Sequence, residues 1–179
     1  MSYEMVIDFW FNEIDSSKWW LKDVSFDEAI RNRFLTLHQQ AIKAELAHWR
    51  SSAQGRLAEI IILDQFSRNM YRYSPQAFSN DAMALVLSQE AISLGLDKQL
   101  NEAQRSFLYM PFMHSESRII HQHAVELYKA SGNETSYNFE IKHKEIIDRF
   151  GRYPHRNIIL NRKSTSEELA FLNEPNSSF

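Results

Sequence analysis

Arg56-Leu-Ala-Glu-Ile-Ile-Ile-Leu-Asp-Gln-Phe-Ser-Arg-Asn-Met70 is the stretch whose reading decides the fold. Wound as a helix it is apolar on most sides, which marks a central rather than a surface helix. At roughly 100° per residue, Leu57, Ile60, Ile61, Asp64 and Arg68 fall on one stripe. An acid and a base four apart therefore continue an apolar face. A lone charge there is costly, and an i,i+4 pair is less so. Two readings stand for Asp64 and Arg68: a carboxylate and a guanidinium facing a cavity, or an ion pair bracing neighbouring helices. Asn69 beside them can bond a neighbouring turn in either case.

Outward toward the N-terminus, residues 2–14 read as a short helix with Met5, Val6, Phe9, Trp10 and Phe11 on a broad apolar face. A loop over 15–24 carries Trp19 and Trp20. Ser25-Phe-Asp-Glu28 matches a capping box and predicts a helix running to about Leu46. Trp49 then falls in a turn closed by Ser51, Ser52 and Gly55.

Outward toward the C-terminus, Pro75 suits a first helical turn, and Asn80 or Asp81 caps a helix that reaches Ile92, with Gly95 where a C′ glycine belongs. A helix over Asn101–Tyr109 comes next, which Pro111 should end or kink. Another begins at Ser115 as N-cap and closes at Gly132, and a third over Thr135–Phe150 closes at Gly151. A short helix starts at Pro154, and Thr165-Ser-Glu-Glu168 is a second capping box. No segment sustains a period of two. The pattern predicts an all-α, compact single domain over 1–173, with seven to nine helices in antiparallel hairpins and a frayed tail over 174–179. No clean period of about 34 residues can be laid over the chain, so a regular solenoid is not supported.

Composition narrows the function classes. Four Gly in 179 residues argue against hairpin-rich β folds and Gly-rich phosphate loops. A net charge of −3 leaves no global footprint for nucleic acid. With no Cys there is neither a disulfide frame nor a thiolate metal site. The start is acidic and aromatic rather than a signal peptide, and no apolar run is long enough to span a bilayer. The expectation is a cytoplasmic protein with no membrane contact.

Phe150-Gly-Arg-Tyr-Pro-His-Arg-Asn157 concentrates donors beside aromatic anchors in one turn. Arg152, His155, Arg156 and Asn157, near a helix start at Pro154, suit a carboxylate or phosphate. His143 lies in an apolar stripe with Phe139, Ile146, Ile147 and Phe150, where burial keeps an imidazole neutral. That suits a packed core histidine or a general base. His114 has no capping role, while Glu116 shares a face with Ile120, His123 and Leu127 and so points inward. On this reading His123 is a core position and His121 a surface one. The imidazoles and Glu116 are of the right type for a divalent metal, but no helix carries His at i and i+4 around an acid. No cofactor motif is present, and a metal is not favoured.

Leu63-Asp-Gln-Phe-Ser-Arg-Asn69, Met110-Pro-Phe-Met-His-Ser-Glu116 and Phe150-Gly-Arg-Tyr-Pro-His-Arg-Asn157 together resemble the signature blocks of a mainly bacterial, uncharacterised family, domain of unknown function 924. The resemblance covers nearly the whole chain and implies a tetratricopeptide-like helical fold without an established activity. The chain departs from the pattern at Ser67, where proline is usual, Tyr153, where phenylalanine is usual, and Asn161, where glycine is usual.

Two functions stand as expectations. One is a small enzyme or binding protein for an anionic small molecule. In it Arg68, Asn69, Arg152, His155, Arg156 and Asn157 hold the ligand, His143 or His114 moves protons, and Asp64 and Glu116 orient them. The other is a tetratricopeptide-like module for a protein or peptide partner, its polar cluster purely structural.

Overall fold

The computed structural model describes residues 2–175 and 177–178. Among them the secondary structure is entirely helical, as the periodicity predicts: α1 (Glu4–Asp8), α2 (Val24–Ala41), α3 (Ala53–Ile61), α4 (Ser67–Met70), α5 (Asp81–Ser93), α6 (Glu102–Met113), α7 (Arg118–Ser131), α8 (Glu134–Phe150) and α9 (Ser166–Phe171). The chain divides into two compact units. The first is Met1–Arg72 with Gln76–Pro111, and the second is Tyr73–Pro75 with Phe112–Phe179.

The first unit is built on α3. Leu57 through Leu63 are all but inaccessible to solvent, including Glu59. Burying that carboxylate is offset by Arg50, which donates to it from Nε and from an Nη, each at 2.7 Å. An aromatic core closes over the C-terminal end of α3, with Phe34 and Phe66 ring centres 4.9 Å apart and Phe9 5.0 Å from Phe34. Gly55 lies inside α3 rather than in the preceding turn. A β-carbon there would stand 2.1 Å from the Trp49 carbonyl oxygen, so the chain passes too closely for any side chain.

The predicted helix over 56–70 is not uniform. Ile62–Phe66 forms a π-helical turn between α3 and α4, and Phe9–Glu13 forms another after α1. Such turns admit one extra residue and shift the helical phase of the residues beyond them.

Several predicted boundaries move, each for a visible reason. Ser25 is not the cap of α2: Asp23 accepts from the Phe26 amide at 2.8 Å, starting the helix earlier. That helix ends at Ala41, before Ala44 takes a positive φ of 57°. Pro111 does not end α6, which continues to Met113. Ser115 is not the cap of α7; Ser117 is, its hydroxyl accepting from Ile120, while Ser115 Oγ takes the Ser117 amide.

The second unit pairs α7 with α8 and closes α9 onto Ile146, Ile147, Phe150 and Tyr153. Gly132 and Gly151 terminate α7 and α8 in the left-handed conformation. The Thr165 capping box is complete, with Thr165 and Glu168 each accepting the other's backbone amide. Within the tail read as frayed, Ser177 is buried and donates to the Leu172 carbonyl at 3.1 Å. Asn176 and Phe179 lie outside the described residues.

Candidate functional site

The Phe150–Asn157 turn is organised by Tyr153, whose ring is fully buried. Pro154–Arg156 forms a single 3-10 turn, which Pro154 opens with its preset φ. Around the Tyr153 ring stand Arg156, its guanidinium 4.4 Å from the ring centre, His155 at 5.5 Å and His143 at 5.8 Å, the last edge-to-face. The Tyr153 hydroxyl donates to the Met113 carbonyl at 2.5 Å and lies 3.3 Å from His121 Nε2.

His143 lies in the inward stripe of α8, where the sequence places it. Its Nδ1 donates to the Phe139 carbonyl at 2.8 Å, which leaves the lone pair on Nε2. Burial, joined by His114, His121 and Arg156, pushes its pKa down to about 3. It is a neutral imidazole beside a buried guanidinium. His114 belongs to the same field and, like His155, is only partly buried.

Glu116 is bonded through both carboxylate oxygens: it accepts from Arg162 at 2.6 and 2.9 Å, and from the Tyr153 backbone amide at 2.8 Å. Its burial is outweighed by these bonds and by Arg156, so its pKa is lowered. Arg162 also bonds Asn157 Oδ1 at 3.0 Å, and Asn157 donates to Ser164 at 3.0 Å. Arg152 grips Glu168 at 2.6 and 2.8 Å and the Lys163 carbonyl at 3.0 Å. Glu116, Asn157 and Arg152 thus hold the turn in place.

Asp64, Arg68 and Asn69 belong to the first unit. Arg68 donates to Asp64 at 2.9 Å and to both oxygens of Asp81 at 2.9 and 3.0 Å, tying the π turn and α4 to α5. Asn69 donates to Asp27 at 2.8 Å, and Arg72 shares that carboxylate. These bonds tie α2, α4 and α5 to one another.

The histidines of α7 exchange the places read for them: His121 is fully buried and His123 exposed. The inward stripe is His121, Ala124 and Tyr128, at three- and four-residue steps. His121 Nε2 donates to the Ser115 carbonyl at 2.8 Å, and Nδ1 meets Glu140 Oε1 at 2.7 Å. Burial raises the Glu140 pKa, and its Oε2 has no hydrogen-bond partner among the described residues. Arg162, His121 and Glu140 escaped the sequence reading. The α7 and α8 stripes carried a signal for the last two, but nothing local pointed to Arg162.

No group of three or more His, Asp or Glu among the described residues could hold a metal ion. Clefts of about 330 and 350 Å³ lie one in each unit, and neither is lined by Tyr153, His143 or Arg156. No helix among the described residues is long and apolar enough to cross a membrane.

An all-α chain carrying these three blocks defines a class, and the comparison with family models names it. Residues 6–176 match the model described as bacterial protein of unknown function (DUF924), and the chain belongs to that family. It is also similar to a solved structure, the protein of unknown function ATU0120 from Agrobacterium tumefaciens, with 36% identity, 96% of each chain covered and a TM-score of 0.91. No curated protein matches.

Proposed function

We propose that the chain binds a small carboxylated or phosphorylated molecule at the Tyr153 cluster of the second unit. Arg156 supplies the anion partner, His114 and His155 form the reachable edge, and His143, kept neutral, adds no second charge beside the guanidinium. The reading is carried by one observation: a buried guanidinium face-on to the Tyr153 ring and a neutral imidazole edge-on to the same ring. A cation held by a π face in a buried site favours an anion, and a neutral imidazole next to it leaves that charge unopposed by a second cation.

The test is a thermal-shift panel of phosphorylated and carboxylated metabolites on the full chain. A ligand at a hundred times its Kd adds about 2.7 kcal/mol to folded-state stability, a readable rise in Tm. The rise is expected to vanish in His155→Ala and Arg156→Lys, both checked for native circular dichroism. A panel without any rise, or a rise that both variants keep, overturns the reading.

A second reading, a tetratricopeptide-like module for a protein or peptide partner, is favoured by a separate observation. Trp20, Leu21 and Val24, close together in the first unit, are 64%, 50% and 74% exposed.

A further inference from the structure

The first unit carries a cleft of about 330 Å³ whose walls differ in kind from the Tyr153 cluster. Two carboxylates, Glu4 and Asp8, stand one turn apart on α1 and both line it. Like charges at this spacing repel, and neither carboxylate forms an ion pair among the described residues. Phe11 and Trp19 form the facing aromatic wall, 5.8 Å apart and edge-to-face. Trp19 is locked by the bond from its Nε1 to the Trp10 carbonyl at 2.9 Å, and Phe11 is carried by the π-helical turn Phe9–Glu13. Gln104 also lines the cleft and is only 8% exposed. Its Oε1 is taken by the Asn101 amide at 3.3 Å, while its Nε2 donates to no described residue.

We propose that this cleft is a binding site for a small organic ammonium ion that also carries a hydrogen-bond acceptor. The ammonium group lies between the Glu4 and Asp8 carboxylates and the Trp19 face, where ring quadrupole and carboxylate charge both attract it. The acceptor end meets Gln104 Nε2. The volume lies at the lower end of the range for small-molecule sites, which suits one amine-bearing chain of a few carbons. This site is independent of the Tyr153 cluster, and its ligand has the opposite charge.

The test uses three molecules of one shape: 1,4-diaminobutane, 4-amino-1-butanol and 1,4-butanediol, doubly charged, singly charged and neutral at neutral pH. They are titrated into full-length protein with labelled indole nitrogens, and the Trp19 resonance is assigned by Trp19→Phe. The amino alcohol is expected to shift that resonance saturably, the diamine, which has no acceptor for Gln104 when doubly protonated, to do so more weakly, and the diol to leave it unmoved. Glu4→Gln and Asp8→Asn are expected to weaken amine binding about five-fold each, consistent with a cation–π and carboxylate site near the surface. Both positions are exposed, and the amide of the Asp8→Asn variant keeps an oxygen for the Asn12 side chain, so the fold is expected to survive; circular dichroism checks it. Saturable binding of the diol with the affinity of the amino alcohol, amine affinity unchanged in both variants, or no saturable shift up to about 20 mM overturns the proposal.

Discussion

Arg162 holds Glu116 through two hydrogen bonds, at 2.6 and 2.9 Å, across 46 residues of sequence. The same carboxylate receives the Tyr153 amide, so one ion pair fixes where the Tyr153 ring stands. Arg162→Gln is expected to cost about 2 kcal/mol in urea unfolding, the usual range for a charge-assisted bond lost from a half-buried carboxylate. Glu116→Gln in the same background should add less than it does alone. Additive costs would show that the two side chains act separately.

His143 makes stability depend on pH with a defined sign. Its folded pKa is depressed to about 3 from 6.5. Below pH 6.5 the unfolded chain therefore takes up a proton that the folded chain refuses. The contribution is fully present above that pH and is lost toward pH 3, with a slope of up to about 1.4 kcal/mol per pH unit. His143→Asn, which keeps a donor for the Phe139 carbonyl, should remove this slope. Urea midpoints at about pH 7.5 and about pH 5.5 decide it: an equal gap between wild type and variant at both refutes the sign.

Gly55→Ala is expected to unfold or severely destabilise the first unit, by about 3 kcal/mol or more, because overpacking against backbone cannot be relieved by a rotamer change. The β-carbon would meet the Trp49 carbonyl at 2.1 Å. A variant with wild-type Tm would contradict the close approach.

Arg68→Ala removes the guanidinium that stands 2.9 Å from Asp64, itself 1% exposed, and cuts the tie to Asp81. The expected loss is about 3 kcal/mol, read from the denaturation midpoint. A loss under about 1 kcal/mol would place the pair among surface ion pairs.

Asn161 sits at φ 56°, in the left-handed region. Asn161→Gly is expected to change stability by only a few tenths of a kcal/mol, whereas Asn161→Val should cost about 1–2 kcal/mol. Equal melting temperatures for the two variants would refute the strain argument.

Helices and their glycine stops were legible because they obey local rules: a 3.6 period, a left-handed C′ residue, a capping box at Thr165. Asn161 was marked only by the family resemblance, as a place where glycine is usual, and its positive φ agrees. Caps a few residues apart competed, and Asp23 and Ser117 won over Ser25 and Ser115 through geometry that the sequence does not order. The interchange of His121 and His123 has a similar cause. Two positions two residues apart lie on opposite faces, so a small error in helix phase swaps them. Arg162 was invisible because its partner is distant in sequence. Its role depends on the path of the chain between Asn157 and Thr165, where no periodicity applies.

The two π-helical turns, Phe9–Glu13 and Ile62–Phe66, give the chain a property beyond packing. Ile62–Phe66 holds one spare residue between α3 and α4, and Phe9–Glu13 holds another at the end of α1, before Ile14 turns to extended backbone. A π turn sweeps with five residues about what an α-helix sweeps with four, so removing one residue from Ile62–Phe66 would close the ladder and leave Arg68 and Asn69 facing Asp81 and Asp27. Removing one residue from α3 instead would turn the segment beyond by about 100° and part both pairs. The turn is thus a slack loop in the winding, the one place on this helix where chain length can change without changing which side chains meet.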